Sequence, residues 1–212
     1  MFLLYHLLKT PYKHQLVVCY FNHKTRPETD EEEAFLEELG KKEGFKVEIA
    51  SCDFQKIQSL YPSKSFEELA REKRYAFFDA ILHIYKARYI ITAHHLDDRI
   101  ETFFFNLLRG TKLTGLINMT EKNGAILRPL LGIQKQDILS YLEENKLHYF
   151  EDATNTDTTI TRNYLRHKVL PLFEQVNTHY KGNTEKLIHY FSEMKAYIDE
   201  EVERFLQHEL SS

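Results

Sequence analysis

Three apolar runs, each tied to a helical period, set the fold of this chain. "QLVVCYF" (Gln15–Phe21) is rich in β-branched residues and does not alternate, the pattern of a strand covered on both faces. "ETDEEEAFLEELGKKEG" (Glu28–Gly44) follows, with Phe35, Leu36 and Leu39 at helical spacing. Acids crowd its first turn, where the helix dipole favours them, and Gly44 reads as a stop. "FKVEIA" (Phe45–Ala50) alternates like a strand, and Ser65–Tyr85 reads as a long helix opened by a Ser65–Glu68 capping box. "RYIITA" (Arg88–Ala93) is the next buried strand, and Asp97–Gly110 is a helix closed by its glycine. Such alternation predicts an α/β fold with a parallel sheet.

After Gly110 the rhythm changes. "AILRPLLG" (Ala125–Gly132) carries Pro129 and reads as an edge strand or loop, "QKQDILSYLEENK" as a helix, and "EDATNTDTTIT" (Glu151–Thr161) as a turn-rich polar loop. Helices run from Arg162 to the end. Leu187, Ile188, Phe191, Met194, Ile198, Val202 and Phe205 form an apolar stripe expected to pack on this domain, with docking to a further domain as the alternative. The 42% hydrophobic content is enough for a core, and the net charge of −4 confines any nucleic-acid surface to a local patch. Cys19 and Cys52 lie in or beside strand-like runs, which reads as buried free thiols; no CxxC points to zinc or redox chemistry. No apolar run approaches a membrane span, and "MFLLYHLL" is a poor signal peptide, so a soluble, cytoplasmic location is expected.

The chemistry concentrates in "ITAHHLDDRIET" (Ile91–Thr102), which places His94, His95, Asp97, Asp98 and Glu101 at a strand-to-helix junction. A helix starting near Asp97 would gather all three carboxylates beyond the carboxyl end of a strand, where open α/β sheets bind ligands. Their mutual repulsion suggests a hard cation such as Mg²⁺ held by Asp97 and Asp98, and the spacing disfavours zinc. The alternative is a capped helix, with Asp97 as N-cap, Glu101 solvated and the histidines on the surface. Arg162 and Arg166, four residues apart with Asn163 between and Lys168 beyond, form a small basic face far in sequence from this cluster.

Four blocks resemble one family. "TAHHLDDRIETFFFNLLRGTKLTGLINM", "EDATNTDTTITRNYLRHKVLPLF", "LAREKRYAFF" and "CYFNHKTRPETDEEEAF" are similar, at sensible spacing, to segments of the bacterial tRNA(Ile)-lysidine synthetases, a branch of the PP-loop ATP pyrophosphatases. The resemblance covers Met1 to about Pro171. It implies that ATP adenylates the C2 oxygen of a wobble cytidine in tRNA(Ile) with a CAU anticodon. Free L-lysine would then displace AMP to give lysidine. By resemblance, His94, Asp98 and Glu101 are catalytic; Asp98 and Glu101 would take the lysine ammonium or the metal, and His94 a phosphate or proton-transfer role. His23, Arg71, Arg74, Arg109 and Gly110 would face ATP and its phosphates. Arg162, Asn163, Arg166 and Asn155 would face tRNA, while Asp152 and Asp157 shape the loop before them. The cofactors implied are ATP and Mg²⁺, with a homodimer left open and no membrane partner.

The family's phosphate loop, Ser-Gly-Gly-x-Asp-Ser, is absent from the sequence, and Met1 falls about where the residue after it belongs. The expectation is therefore a chain truncated before Met1 and without C-terminal domains. Residues 1–132 would be a partial PP-loop domain, 133–180 a tRNA-facing helical part and 181–212 a linker helix. Arg99 stands where many members carry Gln. The rivals are another PP-loop tRNA enzyme, such as a thiolase, which would lean on cysteines, and a tRNA-binding remnant without turnover.

Overall fold

The computed structural model describes residues 1–24, 28–52, 59, 61, 63–117, 119–150 and 160–210. Asp152, Asn155 and Asp157 lie outside them. The chain packs as two compact units, one of residues 1–90 with 148–150 and one of residues 91–147 with 151–212.

The first unit contains α1 (Phe2–Leu8), β1 (Val17–Asn22), α2 (Glu28–Glu43), β2 (Lys46–Ser51) and α3 (Phe66–Ile84). β1 and β2 pair in parallel, from Val17 opposite Lys46 to Asn22 opposite Ser51. α2 bridges them. It ends at Gly44, whose φ of +79° reverses the chain without a Cβ penalty. Gly40 is required for close approach: a Cβ there would meet Val47 Cγ2 at 2.7 Å. α3 opens on the expected capping box of Ser65 and Glu68, and buries Leu69 and Ala70 against Phe21 and Cys52. Phe35 of α2 stacks on His148 and Phe150, with ring centroids 4.8 and 5.4 Å apart.

β1 departs from expectation. Val17 to Phe21 are half-buried, and only Asn22 is fully buried. Among the described residues its sheet has two strands, so β1 keeps one edge without a neighbour. A run of apolar residues reports the capacity to be covered, not the number of neighbours that cover it.

Three short strands follow, β3 (Ile90–Ile91), β4 (Lys122–Asn123) and β5 (Ile126–Leu127), in the order β3–β5–β4, the latter two in the second unit. "RYIITA" thus supplies two strand residues rather than six. One further bond, from Thr92 N–H to Leu127 O at 2.9 Å, continues the pairing, and Ile91 stays exposed. Arg128 is buried and donates to Thr120 O at 2.9 Å, closing the β4–β5 hairpin.

The helices of this unit are α4 (Leu96–Leu108), α5 (Leu113–Leu116), α6 (Lys135–Glu144), α7 (Thr161–Tyr164), α8 (Leu170–Val176) and α9 (Tyr180–Leu210). Their core joins Leu96 and Ile100 of α4 to Leu165 and Leu170. Between α7 and α8 lies a π-helical turn, Leu165–Val169, in which the Leu170 N–H reaches back to Leu165 O. Pro171 follows in the first turn of α8 and has no N–H to donate to the preceding turn. Such widened turns recur at functional sites because they re-aim side chains. In α9, Ile188 is 1% exposed, whereas Met194, Ile198, Val202 and Phe205 are 39–64% exposed. The apolar stripe is buried only near the start of the helix, against the expectation that it packs along its length. Among the described residues no helix is long and apolar enough to cross a membrane.

Candidate functional site

The N-terminus of α4 is set by a reciprocal cap two residues earlier than an Asp97 cap would place it. His95, not Asp97, is the N-cap: its Nδ1 accepts from the Asp98 N–H at 3.4 Å, and Asp98 Oδ2 accepts from the His95 N–H at 3.0 Å. The carboxylate three residues into the helix is what captures the cap, so the helix gains Leu96 and Asp97 as its first residues. Asp97, Asp98 and Glu101 then project from the first two turns as expected. Glu101 is 2% exposed, which excludes the solvated position of the capped-helix alternative.

Each carboxylate has its own partners. Asp97 Oδ2 accepts from the Lys135 backbone N–H at 2.7 Å, and its Oδ1 meets Lys181 Nζ at 2.7 Å. Glu101 is gripped by both forks of Arg166, at 2.5 and 2.7 Å. Arg162 Nε lies 3.7 Å from Glu101 Oε2, and its Nη2 donates to Thr102 Oγ1 at 2.6 Å. Arg166 Nη2 also approaches Asp98 Oδ1 at 3.7 Å. Three carboxylates thus face three cations. The basic face of Arg162 and Arg166, expected to stand apart, is folded onto the acidic cluster by α7 and the π turn. Residues some 60 positions apart in sequence are neighbours here.

These contacts shift the titration of Asp97, Lys181 and Arg166. Burial alone would push the Asp97 carboxyl up; the Lys135 N–H and Lys181 outweigh it and hold the group below the ordinary carboxylate range. Lys181 is pulled down by burial, but its bond to Asp97 leaves it above the usual lysine value. The Arg166 guanidinium is raised chiefly by its hydrogen bond to Glu101. Beside the cluster lies a pocket of about 460 Å³ whose polar wall includes Asp97, Glu101, Arg166, Glu174, Tyr180 and Lys181, a size suited to a small molecule.

The residues do not fit a resident metal at Asp97 and Asp98. Among the described residues no three acid, histidine or cysteine side chains are grouped to hold one. Asp97 already spends both oxygens on Lys135 and Lys181, so the repulsion that suggested Mg²⁺ is relieved by the chain's own cations.

The other expected residues lie elsewhere. His94 Nδ1 is 2.8 Å from Thr92 Oγ1, just before the cap. Arg109 and Gly110 close the far end of α4, about 18 Å from Asp97 at 1.5 Å per residue, with Arg109 over the Phe105 ring at 5.2 Å. Asn163 is buried. In the first unit, Arg71 sits 4.9 Å over the Tyr75 ring and His23 lies 5.2 Å from the Phe21 ring; Arg74 lies 5.9 Å from Tyr75. Sequence reasoning missed Lys181, Tyr180 and the Lys135 amide. Lys181 stands 84 residues from Asp97 and is one of several charges on an amphipathic helix, so no local signal marks it.

The chain is similar to known proteins. Residues 1–173 match the PP-loop domain family. A tRNA(Ile)-lysidine synthase of Bacteroides thetaiotaomicron is 38% identical over 173 residues, covering 81% of this chain and 40% of that protein. A Staphylococcus aureus protein of the same name is 31% identical over 214 residues, covering 98% of this chain and 49% of that one. The chain therefore spans half or less of the length of these relatives. Among solved structures, the U34-tRNA thiolase NcsA from Methanococcus maripaludis with its [4Fe-4S] cluster superposes with a TM-score of 0.65 at 16% identity, covering 89% of this chain and 67% of that one. That likeness concerns the fold.

Proposed function

The chain belongs to the PP-loop family, and from that premise we propose that it takes part in ATP-dependent ligation of free lysine to C2 of the wobble cytidine of a tRNA(Ile) with a CAU anticodon. The observation that carries the reading is the pocket at Asp97, Glu101 and Arg166, which sets carboxylates and cations around a cavity of about 460 Å³. An amino acid with a charged side chain presents the complementary groups. The names of the relatives agree with this reading.

The reaction falls into two displacements. The C2 oxygen of cytidine attacks the α-phosphorus of ATP and pyrophosphate leaves. The lysine ε-nitrogen then attacks C2, the C2–oxygen bond breaks, and AMP departs with that oxygen. The amine must lose a proton to act as nucleophile, and His94, beside the cap, is the group whose ordinary range suits that transfer near neutral pH. Asp98 and Glu101 are assigned to one of the two ammonium groups that free lysine carries. Arg166 positions Glu101 through its two hydrogen bonds. Arg71, Arg74, Arg109 with Gly110, and His23 are assigned to ATP and its phosphates; Arg162, Asn163 and Asn155 are assigned to tRNA. Residues 133–180 carry the RNA-facing part. A divalent cation accompanying the ATP phosphates would be a substrate partner.

The thiolase reading has one observation in its favour, the shared fold. Against it, burial and the neighbouring Glu48 push the Cys19 thiol up to about 11, the reverse of a sulfur-transfer cysteine. The test is lysine incorporation into a tRNA(Ile) transcript, using the protein expressed with the flanking coding sequence of its gene. Lysine-dependent formation of AMP and lysidine supports the reading. Transcript binding without lysine transfer supports the tRNA-binding remnant instead.

A further inference from the structure

Lys181 brings to the pocket the same chemical group that the proposed substrate carries. Its ε-ammonium rests on Asp97 Oδ1 at 2.7 Å, and its side chain retains 27% exposure on the pocket wall. The other Asp97 oxygen is fixed by the Lys135 backbone amide at 2.7 Å, so the carboxylate is held in place whether or not Lys181 is there. Only the ammonium contact is free to exchange, because it hangs on a flexible four-carbon stem.

We propose that Lys181 is an internal competitor at the amine-binding position of the pocket, so that Asp97 receives either the Lys181 ammonium or that of a bound alkylamine amino acid. This rests on the reading that free lysine is the substrate. Glu174 gives the displaced chain somewhere to go: it is exposed, lines the same pocket, and its charge already acts on Lys181. The exchange also selects. An incoming side chain without a terminal ammonium cannot replace Lys181, since it would leave the half-buried Asp97 carboxylate unpaired. A lysine side chain swaps one ion pair for an equivalent one, and its apparent affinity falls only by the fraction of protein in which Lys181 holds the position.

The test is calorimetric titration of L-lysine and L-norleucine into the full chain and its Lys181→Met variant, with thermal melts in n-butylammonium chloride. Lysine should bind the variant on the order of tenfold tighter, norleucine should be unaffected, and n-butylammonium should raise the melting temperature of the variant more than that of the wild type. Equal or weaker lysine affinity in the variant, without rescue of its melt, overturns the proposal. If Lys181→Met does not fold, Glu174→Gln decides: loss of the second seat should weaken lysine binding several-fold, and an unchanged affinity overturns it. Lysidine formation in the same preparations separates the two ideas. Lysidine made with equal lysine KM in wild type and Lys181→Met defeats the competitor and spares the reading. Amine competition without lysidine does the reverse.

Discussion

Arg166 grips Glu101 with two parallel hydrogen bonds, from Nε at 2.5 Å and from Nη2 at 2.7 Å, across 65 residues of sequence. The carboxylate is 2% exposed. It sits one helical turn inside α4, and its partner comes from the π turn before Pro171. The pair thus ties the strand-end cluster to the C-terminal helices, and its two members should fail together.

Removing one member of a buried pair leaves the other uncompensated, which costs about 3–5 kcal/mol. Glu101→Gln should therefore lower the melting temperature by roughly 6–15 °C for a chain of this size. The double change Glu101→Gln with Arg166→Met should destabilise less than the sum of the single changes. A strictly additive double-mutant cycle would show that the two groups do not act as a unit.

Asp97 should give the protein an acid-sensitive increment of stability. Its carboxyl is held low in the folded state by the Lys135 N–H and Lys181, against the opposing effect of burial. A depressed folded value means that the increment is present above the unfolded value near 3.8 and is lost as pH falls through the folded one. The stability difference between wild type and Asp97→Asn, from urea titrations between pH 7 and pH 3, should be constant down to about pH 4 and shrink below it. A difference that grows on acidification would reverse the assignment.

The legible part of the fold was whatever is local in the chain. The Ser65–Glu68 capping box, the stop at Gly44 and the acidic cluster on α4 all depend on residues within one or two turns. Three of the features the sequence did not disclose depend on distant partners, whereas the His95 cap of α4 is local and was hidden because histidine is an uncommon cap. β1 is less covered than its apolar run suggests because it pairs with β2 alone among the described residues. Arg166 reaches Glu101 only through a widened turn that no simple periodicity encodes. Lys181 resembles the other charges of α9 until Asp97 is placed beside it.

Cys19 should be inert. It pairs across β1–β2 with Glu48, which also accepts a hydrogen bond from the Tyr85 hydroxyl. Burial first, and that carboxylate second, push the thiol up to about 11. At pH 8 the thiolate fraction is then on the order of one in a thousand. Iodoacetamide at pH 8 under native conditions, read by peptide mass spectrometry, should label Cys19 roughly a hundred-fold more slowly than a free thiol. Rapid labelling of the folded protein would reopen the sulfur-transfer reading.

Arg166 and Lys168 stand two residues apart on one short helical stretch and should answer differently to substitution. Arg166 is spent on Glu101 and approaches Asp98, so its charge is already balanced inside the protein. Lys168, two residues on, lies on the exposed side. A side chain that neutralises an RNA phosphate releases a counterion, and each such contact adds about one to the salt slope of binding. Under the proposed function, Lys168→Ala should weaken tRNA binding and flatten that slope by about one, with an unchanged melting temperature. Arg166→Ala should do the opposite: a lower melting temperature, with the salt slope of the remaining folded protein unchanged. Titrations of a tRNA(Ile) transcript at several salt concentrations, run beside thermal melts, measure both quantities. A flattened slope in Arg166→Ala with intact folding would mean that the guanidinium leaves Glu101 for the RNA backbone, and the buried pair would then be a resting arrangement that tRNA opens.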